Sequence, residues 1–169
     1  FALIHTDGKD WLLHLMEGPS EGGSVARVPA LIRPMMATLG ALPPPHEDER
    51  FAYEMKWDGV RAVTYLEHAE VRVVTRNDRD VAGTYPELRE VARALAGHDA
   101  VLDGEIVALV DGRPSFGRLQ QRMHVVKPAE VRRLVEQVPV VYLVFDLLWL
   151  DGEELTGRPY DERRAALEG

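Results

Sequence analysis

The chain contains no cysteine, so neither a disulfide framework nor a thiolate metal site can hold it together. Its six histidines are scattered without an H-x3-H spacing, which leaves any bound metal to carboxylate oxygens, the ligands of hard cations. No apolar, uncharged run reaches the roughly 18 residues a membrane helix needs. Residues 1–5, followed by Thr6-Asp7-Gly8, lack the basic start and small-residue cleavage site of a secretion signal. The expected location is therefore the cytoplasm, with no membrane partner. Basic residues are also short: 20 Lys and Arg stand against 28 Asp and Glu, a formal charge of −8. A polyanionic partner such as DNA must then rely on local clusters, since the whole chain repels phosphate. Candidate clusters are Arg72, Arg76 and Arg79; Arg113, Arg118, Arg122 and Lys127; and Arg132 with Arg133. Solvated helix faces and turns are the simpler reading of each.

What is present is enough apolar residue, 46%, to bury one core, alone or with an appendage. Residues 1–16 alternate as two short strands around Asp7-Gly8, a hairpin signal. Residues 17–32 open with Gly18, Pro19, Gly22 and Gly23 and read as a linker. Residues 29–45 are broken by Pro29, Pro34 and Pro43-Pro44-Pro45, which predicts an extended lead-in without regular structure, lying on the domain that follows. From Phe51 the pattern is α+β. Strands are expected at 51–56, 60–66 and 71–75, forming one antiparallel sheet, with a turn at His68-Ala69. A helix is expected at 85–96, with Pro86 in its first turn and Leu88, Val91, Ala92 and Leu95 on one face. A strand follows at 101–110, closed by Asp111-Gly112, then helices at 115–123, capped by Ser115, and 129–138. The most apolar strand, 140–150, should lie at the centre of the sheet and end at Asp151-Gly152; residues from 159 begin another helix.

Lys56 ends a predicted strand two residues before Asp58-Gly59, where a side chain can project into a cleft beside a tight turn. To act as a nucleophile its amine must first lose a proton, which desolvation and neighbouring cations favour. Taken alone, Lys-x-Asp-Gly arises by accident, and a surface lysine at a strand end is the simpler reading of it.

Several such patterns occur in order. Glu54-x-Lys56-x-Asp58-Gly59-x-Arg61 resembles the first motif of the covalent nucleotidyltransferases, the superfamily of ATP-dependent DNA ligases, RNA ligases and mRNA capping enzymes. Thr75-Arg76-Asn77 resembles the second motif, Asp103-Gly104-Glu105 the third, and Tyr142-x-x-Phe145-Asp146-Leu147-Leu148 the aromatic motif after it. Arg33-Pro34-Met35-Met36-Ala37, Trp57 and Phe116-x-x-Leu119-Gln120-x-Arg122 look like the ligase module of bacterial end-joining ligases, in which polymerase and phosphoesterase modules share the polypeptide. Residues 1–16 look like the last hairpin of such a phosphoesterase module, and residues 33–169 like the N-terminal part of the ligase adenylation domain.

The resemblance implies an antiparallel-sheet, ATP-grasp-like nucleotidyltransferase fold and a three-step reaction with DNA. Lys56 takes AMP from ATP, AMP passes to a 5′-phosphate, and a 3′-hydroxyl expels it, joining nicks or ends. By the same resemblance Glu54 faces the adenine amino group, and Arg61 and Arg76 contact ribose or phosphate. Glu105 binds the ribose hydroxyl or a magnesium or manganese ion, and Asp58 is a second metal candidate. Phe145 stacks on adenine, with Tyr142 as the fallback aromatic. An end-binding repair protein is an expected partner. The family's later Glu-Gly-apolar-Lys and Lys-x-Lys motifs and its oligonucleotide-binding barrel do not occur, so the expectation is a fragment with an incomplete site that does not seal nicks alone. An RNA ligase, a GTP-using capping enzyme and a noncatalytic end-binding scaffold are the alternatives; a NAD-using ligase finds no zinc-ligand cysteines.

Overall fold

The computed structural model describes residues 2–5, 11–14 and 27–169, the first two segments by backbone alone. The turn expected around Asp7-Gly8 and residues 17–26 of the expected linker lie outside the described residues. A first sheet runs in the order β3-β2-β1-β4, from β1 (Ala2–His5), β2 (Trp11–His14), β3 (Thr38–Gly40) and β4 (Ala52–Met55). β1 pairs antiparallel with β2 but parallel with β4, Ile4 opposite Glu54. A second sheet has the order β10-β9-β7-β5-β6, from β5 (Val60–Glu67), β6 (Glu70–Thr75), β7 (Ala100–Val110), β9 (Val140–Leu150) and β10 (Glu153–Glu154). β8 (Arg113–Pro114) pairs with the end of β7. All pairings in this second sheet are antiparallel.

Three expectations about the strands and the lead-in change. β4 does not share a sheet with β5 and β6: the chain leaves β4 at Lys56 and enters the second sheet at Val60, so the lysine motif is the crossing between two sheets. The central strand is β7, not β9, whose outer neighbour is the two-residue β10. Both strands are apolar, and only β7 is buried along nearly its whole length. The proline-rich lead-in is not wholly irregular, since it contributes β3 and a 3-10 turn at Pro45–Arg50, started by the proline run.

The β5–β6 turn has His68 and Ala69 at φ 50° and 66°, the left-handed pair that matches strand twist in a two-residue hairpin. The expected helix at 85–96 resolves into a 3-10 turn, Pro86–Glu90, and one α-turn, α1 (Val91–Ala94). α2 (Phe116–Leu119) is shorter than expected, and Ser115 makes no side-chain cap. α3 (Pro128–Gln137) and α4 (Tyr160–Glu168) follow the predicted spacing.

Strand alternation divides the core. Ala62 and Val73 face a cluster with Tyr85, Leu88, Ile106, Leu119, Leu134 and Val138, roofed by the short helices. Val63, Tyr65 and Val74 face the other way, onto Val101, Leu148 and Trp149. There the lead-in closes the sheet as expected: Val28 and Ile32 pack on this cluster, and Tyr65 Oη accepts from Ile32 N at 2.8 Å and donates to Ile32 O at 3.1 Å. Arg72 stacks on the Tyr65 ring at 3.9 Å and donates to Ala30 O at 2.7 Å.

Candidate active site

The crossing from β4 to β5 lies tight against β7. A methyl group at Gly59 would sit 2.1 Å from Ile106 O and 3.0 Å from Glu105 Cγ, closer than atoms tolerate, so only glycine lets the lysine turn pass beside β7. This contact carries Lys56 to the mouth of a 650 Å³ cleft. Glu54, Asp58, Arg61, Arg76, Glu105 and Phe145 line the same cleft, together with Met36, Trp57 and Phe116. The residues chosen from the sequence thus come together from β4, β5, β7, β9 and the end of β6. Tyr142 does not join them: its ring crosses β7 inside the sheet, and its hydroxyl donates to Ala62 O at 2.8 Å, lying 3.2 Å from Leu102 O. Gly104 makes room for that ring, since a Cβ there would lie 2.7 Å from Tyr142 Cε2. The ladder between β7 and β9 is irregular at Asp103/Gly104, where an extra residue re-aims the strand beside the cleft.

Lys56 Nζ donates to Asp58 Oδ1 at 2.9 Å. Arg61 stands opposite Glu105 in the β5–β7 ladder but forks diagonally onto Asp103, Nε to Oδ1 at 3.1 Å and Nη2 to Oδ2 at 2.6 Å; Nη1 donates to Met35 O at 2.8 Å. Its guanidinium lies 5.4 Å from the Phe145 ring centroid, within range of a cation–π contact. The bidentate face of Arg61 is thus committed to Asp103, and any nucleotide contact must use its remaining N–H groups. Burial raises the Asp103 carboxyl, opposed by Arg61. Burial also raises Glu54, against a hydrogen bond donated by Tyr160 Oη at 2.6 Å.

Glu105 is pushed up to about 7 by burial, with Arg61 and the Gly59 N–H pulling the other way. Its acid form is therefore favoured on folding, and the sign of the linkage follows. Stability from this group is fully present below the unfolded value near 4.5 and is lost as pH rises through about 7. The whole effect is no more than about 3 kcal/mol. Glu105→Gln should remove it: denaturant midpoints of the wild type should fall between pH 5 and 8 more than those of the variant. Parallel profiles would refute the assignment.

Among the described residues no three carboxylate or histidine side chains converge. The cleft offers Glu105, Asp58 and Glu54 singly. That donor set fits an ion of the magnesium type, which is commonly held by one or two carboxylates, substrate phosphates and water. Beyond Glu105 the cleft continues into a 420 Å³ cavity that shares Arg61, Arg76 and Phe116 and adds Asn77, Arg79, Tyr85 and His124.

The profile of the ATP dependent DNA ligase domain matches residues 34–169. The chain belongs to the ATP-dependent DNA ligase family. The chain is 38% identical over 169 residues to the multifunctional non-homologous end joining protein LigD of Mycolicibacterium smegmatis, covering 99% of this chain and 20% of that one. It is 41% identical over 139 residues to DNA ligase C of Mycobacterium tuberculosis, covering 80% of this chain and 37% of that one. The solved mycobacterial DNA ligase D complexed with ATP and MES has the same fold, with a TM-score of 0.58 and 41% identity over 68% of this chain and 35% of that one. The antiparallel nucleotidyltransferase fold expected from the motifs is thereby shown. The chain spans 20% of the length of the end-joining relatives. Among its described residues no helix is long and apolar enough to cross a membrane.

Sequence reasoning missed several supports of this site. Asp103 lay inside a quoted motif, yet nothing in spacing tied it to Arg61. Arg163 on α4 is buried and forks onto Asp146 at 2.8 and 2.9 Å. The basic clusters do not form one free face. Arg122 is buried against Glu87, Arg118 donates to Gln137 O at 2.7 Å, and Arg72 is stacked on Tyr65. Arg76 and Arg79 remain as cations lining the cavity beside the cleft.

Proposed function

We propose that this ligase domain carries the AMP-accepting lysine of an end-joining DNA ligase. The observation that carries the reading is convergence: Lys56 shares one cleft with an aromatic ring, Phe145, and with two carboxylates on different strands, Glu54 and Glu105. In the reaction, Lys56 Nζ attacks the α-phosphorus of ATP. A nitrogen–phosphorus bond forms, the bond to the bridging oxygen breaks, pyrophosphate leaves with the electron pair, and the amine proton passes to solvent. AMP is then transferred to a 5′-phosphate on DNA and expelled by a 3′-hydroxyl as the phosphodiester forms.

The remaining roles are those that resemblance to the family implies, and the chemistry of each side chain suits them. Phe145 offers its face to adenine, with Arg61 on the ring and Asp103 and Met35 O holding Arg61. Glu54 accepts from the adenine amino group. Arg76 supplies a guanidinium for phosphate oxygens. Glu105 binds the ribose hydroxyl or, with Asp58 as the second candidate, a magnesium or manganese ion; such an ion neutralises charge developing on the phosphate when bound. In this reading the domain works within a longer polypeptide that carries polymerase and phosphoesterase modules, residues 1–16 being the end of the latter. It acts on nicks or ends in DNA with an end-binding repair protein.

The test is intact-protein mass spectrometry of the full-length protein after incubation with ATP and magnesium or manganese. A gain of about 329 Da, the AMP left once pyrophosphate departs, is expected. A folded protein that gains no such mass with either metal overturns the reading.

A further inference from the structure

Tyr160, at the start of α4, is 106 residues from Glu54 in sequence, yet its hydroxyl donates to Glu54 Oε1 at 2.6 Å. On the same helix the buried Arg163 forks onto Asp146, and its Nη1 donates to Arg158 O. Asp146 directly follows Phe145 on β9. One helix therefore fastens β4, beside Lys56, to β9, beside Phe145, and so clasps together two strands that line the cleft from different sheets. The phosphoryl transfer proposed above uses neither contact.

A carboxylate is acceptor-only when ionised, with two oxygens to satisfy. The Tyr160 hydroxyl takes Oε1 and fixes the side chain, which leaves Oε2 as an acceptor. An acceptor at that place suits a purine that offers an amino group on the facing edge and disfavours one that offers a carbonyl. A buried donor or acceptor left unmatched costs more than a matched pair gains. The charged and titratable groups that face Glu54 are Tyr160, Arg163 and Arg164 on α4 and Asp146 on β9. Arg163 is engaged by Asp146, and Arg164 Nε by Glu168 at 2.6 Å, so the direct hydrogen bond to Glu54 comes from the phenol.

We propose that Tyr160 is a positioning residue for base selection, its hydroxyl holding Glu54 as a fixed acceptor that favours ATP over GTP. The proposal rests on the reading of Glu54 as the carboxylate that faces the base. Without the hydroxyl, Glu54 is free to rotate or to take up a proton, and a protonated Glu54 can donate to the carbonyl of guanine.

The experiment compares wild type, Tyr160→Phe, Glu54→Gln and the double variant in the full-length protein. Apparent KM and maximal rate of adduct formation are measured with ATP and with GTP, alongside thermal denaturation. Tyr160→Phe should raise KM for ATP about tenfold, leave the maximal rate nearly unchanged and narrow the preference for ATP. In the Glu54→Gln background the same change should add little, since the two residues act as one unit. Wild-type kinetics with both nucleotides, an effect that adds in full to Glu54→Gln, or a loss confined to the maximal rate would each overturn the proposal while leaving Lys56 as the nucleophile. A wild-type protein that forms no adduct with either nucleotide would bring down the functional reading and this proposal together.

Discussion

Lys56→Ala should abolish the AMP adduct while leaving the protein folded. In the proposed reaction the amine supplies the electron pair for the nitrogen–phosphorus bond, and alanine has nothing to replace it. Lys56→Arg should fail as completely: a guanidinium keeps the charge and the length but is not deprotonated in proteins. The structural cost of either change is small. The Lys56 side chain is 36% exposed, and its ion pair is with Asp58, itself 68% exposed, a surface pair of the kind worth about 0–1 kcal/mol. Mass spectrometry after incubation with ATP, paired with a denaturation curve, separates the two effects. Expected is no mass gain in either variant with a midpoint close to wild type. A Lys56→Ala protein that still gains the mass of AMP would place the nucleophile elsewhere. The turn before β5 bears on this result, because a Cβ at Gly59 would lie only 2.1 Å from Ile106 O on β7. Gly59→Ala should consequently lower the rate of adduct formation with Lys56 still present.

Much of the fold was legible because its signals are local. Alternation gave β5, β6, β7 and β9 nearly to the residue, and paired turn formers marked their ends: Asp111 and Asp151 both adopt the positive φ such hairpins need, 50° and 45°. Periodicity identifies a strand without naming its neighbour. That is why β4 could be found and yet assigned to the wrong sheet, and why β9, the most apolar run, was placed at the centre that β7 occupies. The helix expected at 85–96 had a proline start and an apolar face, but half of it is wound as a 3-10 turn over Leu88, a difference of local winding that residue spacing does not encode. The site divides in the same way. Lys56, Glu54 and Arg61 sit within one short motif and were readable together. The partners that hold them, Asp103 for Arg61 and Tyr160 for Glu54, are 42 and 106 residues away; Asp103 belongs to a motif that does not name its partner, and Tyr160 carries no mark beyond being polar. Arg122 shows the opposite error: in the sequence it belonged to a candidate basic cluster whose simpler reading was a solvated face, and in the fold it is 1% exposed.

That burial gives Arg122 the largest expected effect on stability. Its guanidinium faces Glu87 with both terminal nitrogens, Nη1 on Oε1 and Nη2 on Oε2 at 3.0 Å. The same nitrogens reach Val138 O at 3.0 Å and Thr84 O at 2.7 Å, and the plane lies 5.1 Å from the Tyr85 ring centroid. One side chain therefore joins the 3-10 turn at Pro86, the end of α3 and the loop after α2. Arg122→Ala would leave a carboxylate and two carbonyls without their donor and open a cavity beside Tyr85. Breaking a buried ion pair from one side costs about 3–5 kcal/mol, which in a domain of this size corresponds to a midpoint roughly 10 °C lower. Arg122→Lys should recover only part of this, because an ammonium cannot span four acceptors in one plane. Arg122→Met paired with Glu87→Gln should recover more than Arg122→Met alone, since it removes the stranded charge. Met123, His124 and Phe116, near Arg122 in sequence, line the cavity beside the cleft that holds Lys56, so the loss should extend to adduct formation. A melting curve for Arg122→Ala within about 1 kcal/mol of wild type would mean the guanidinium is not the buried joint described, and would return it to the cations available for DNA.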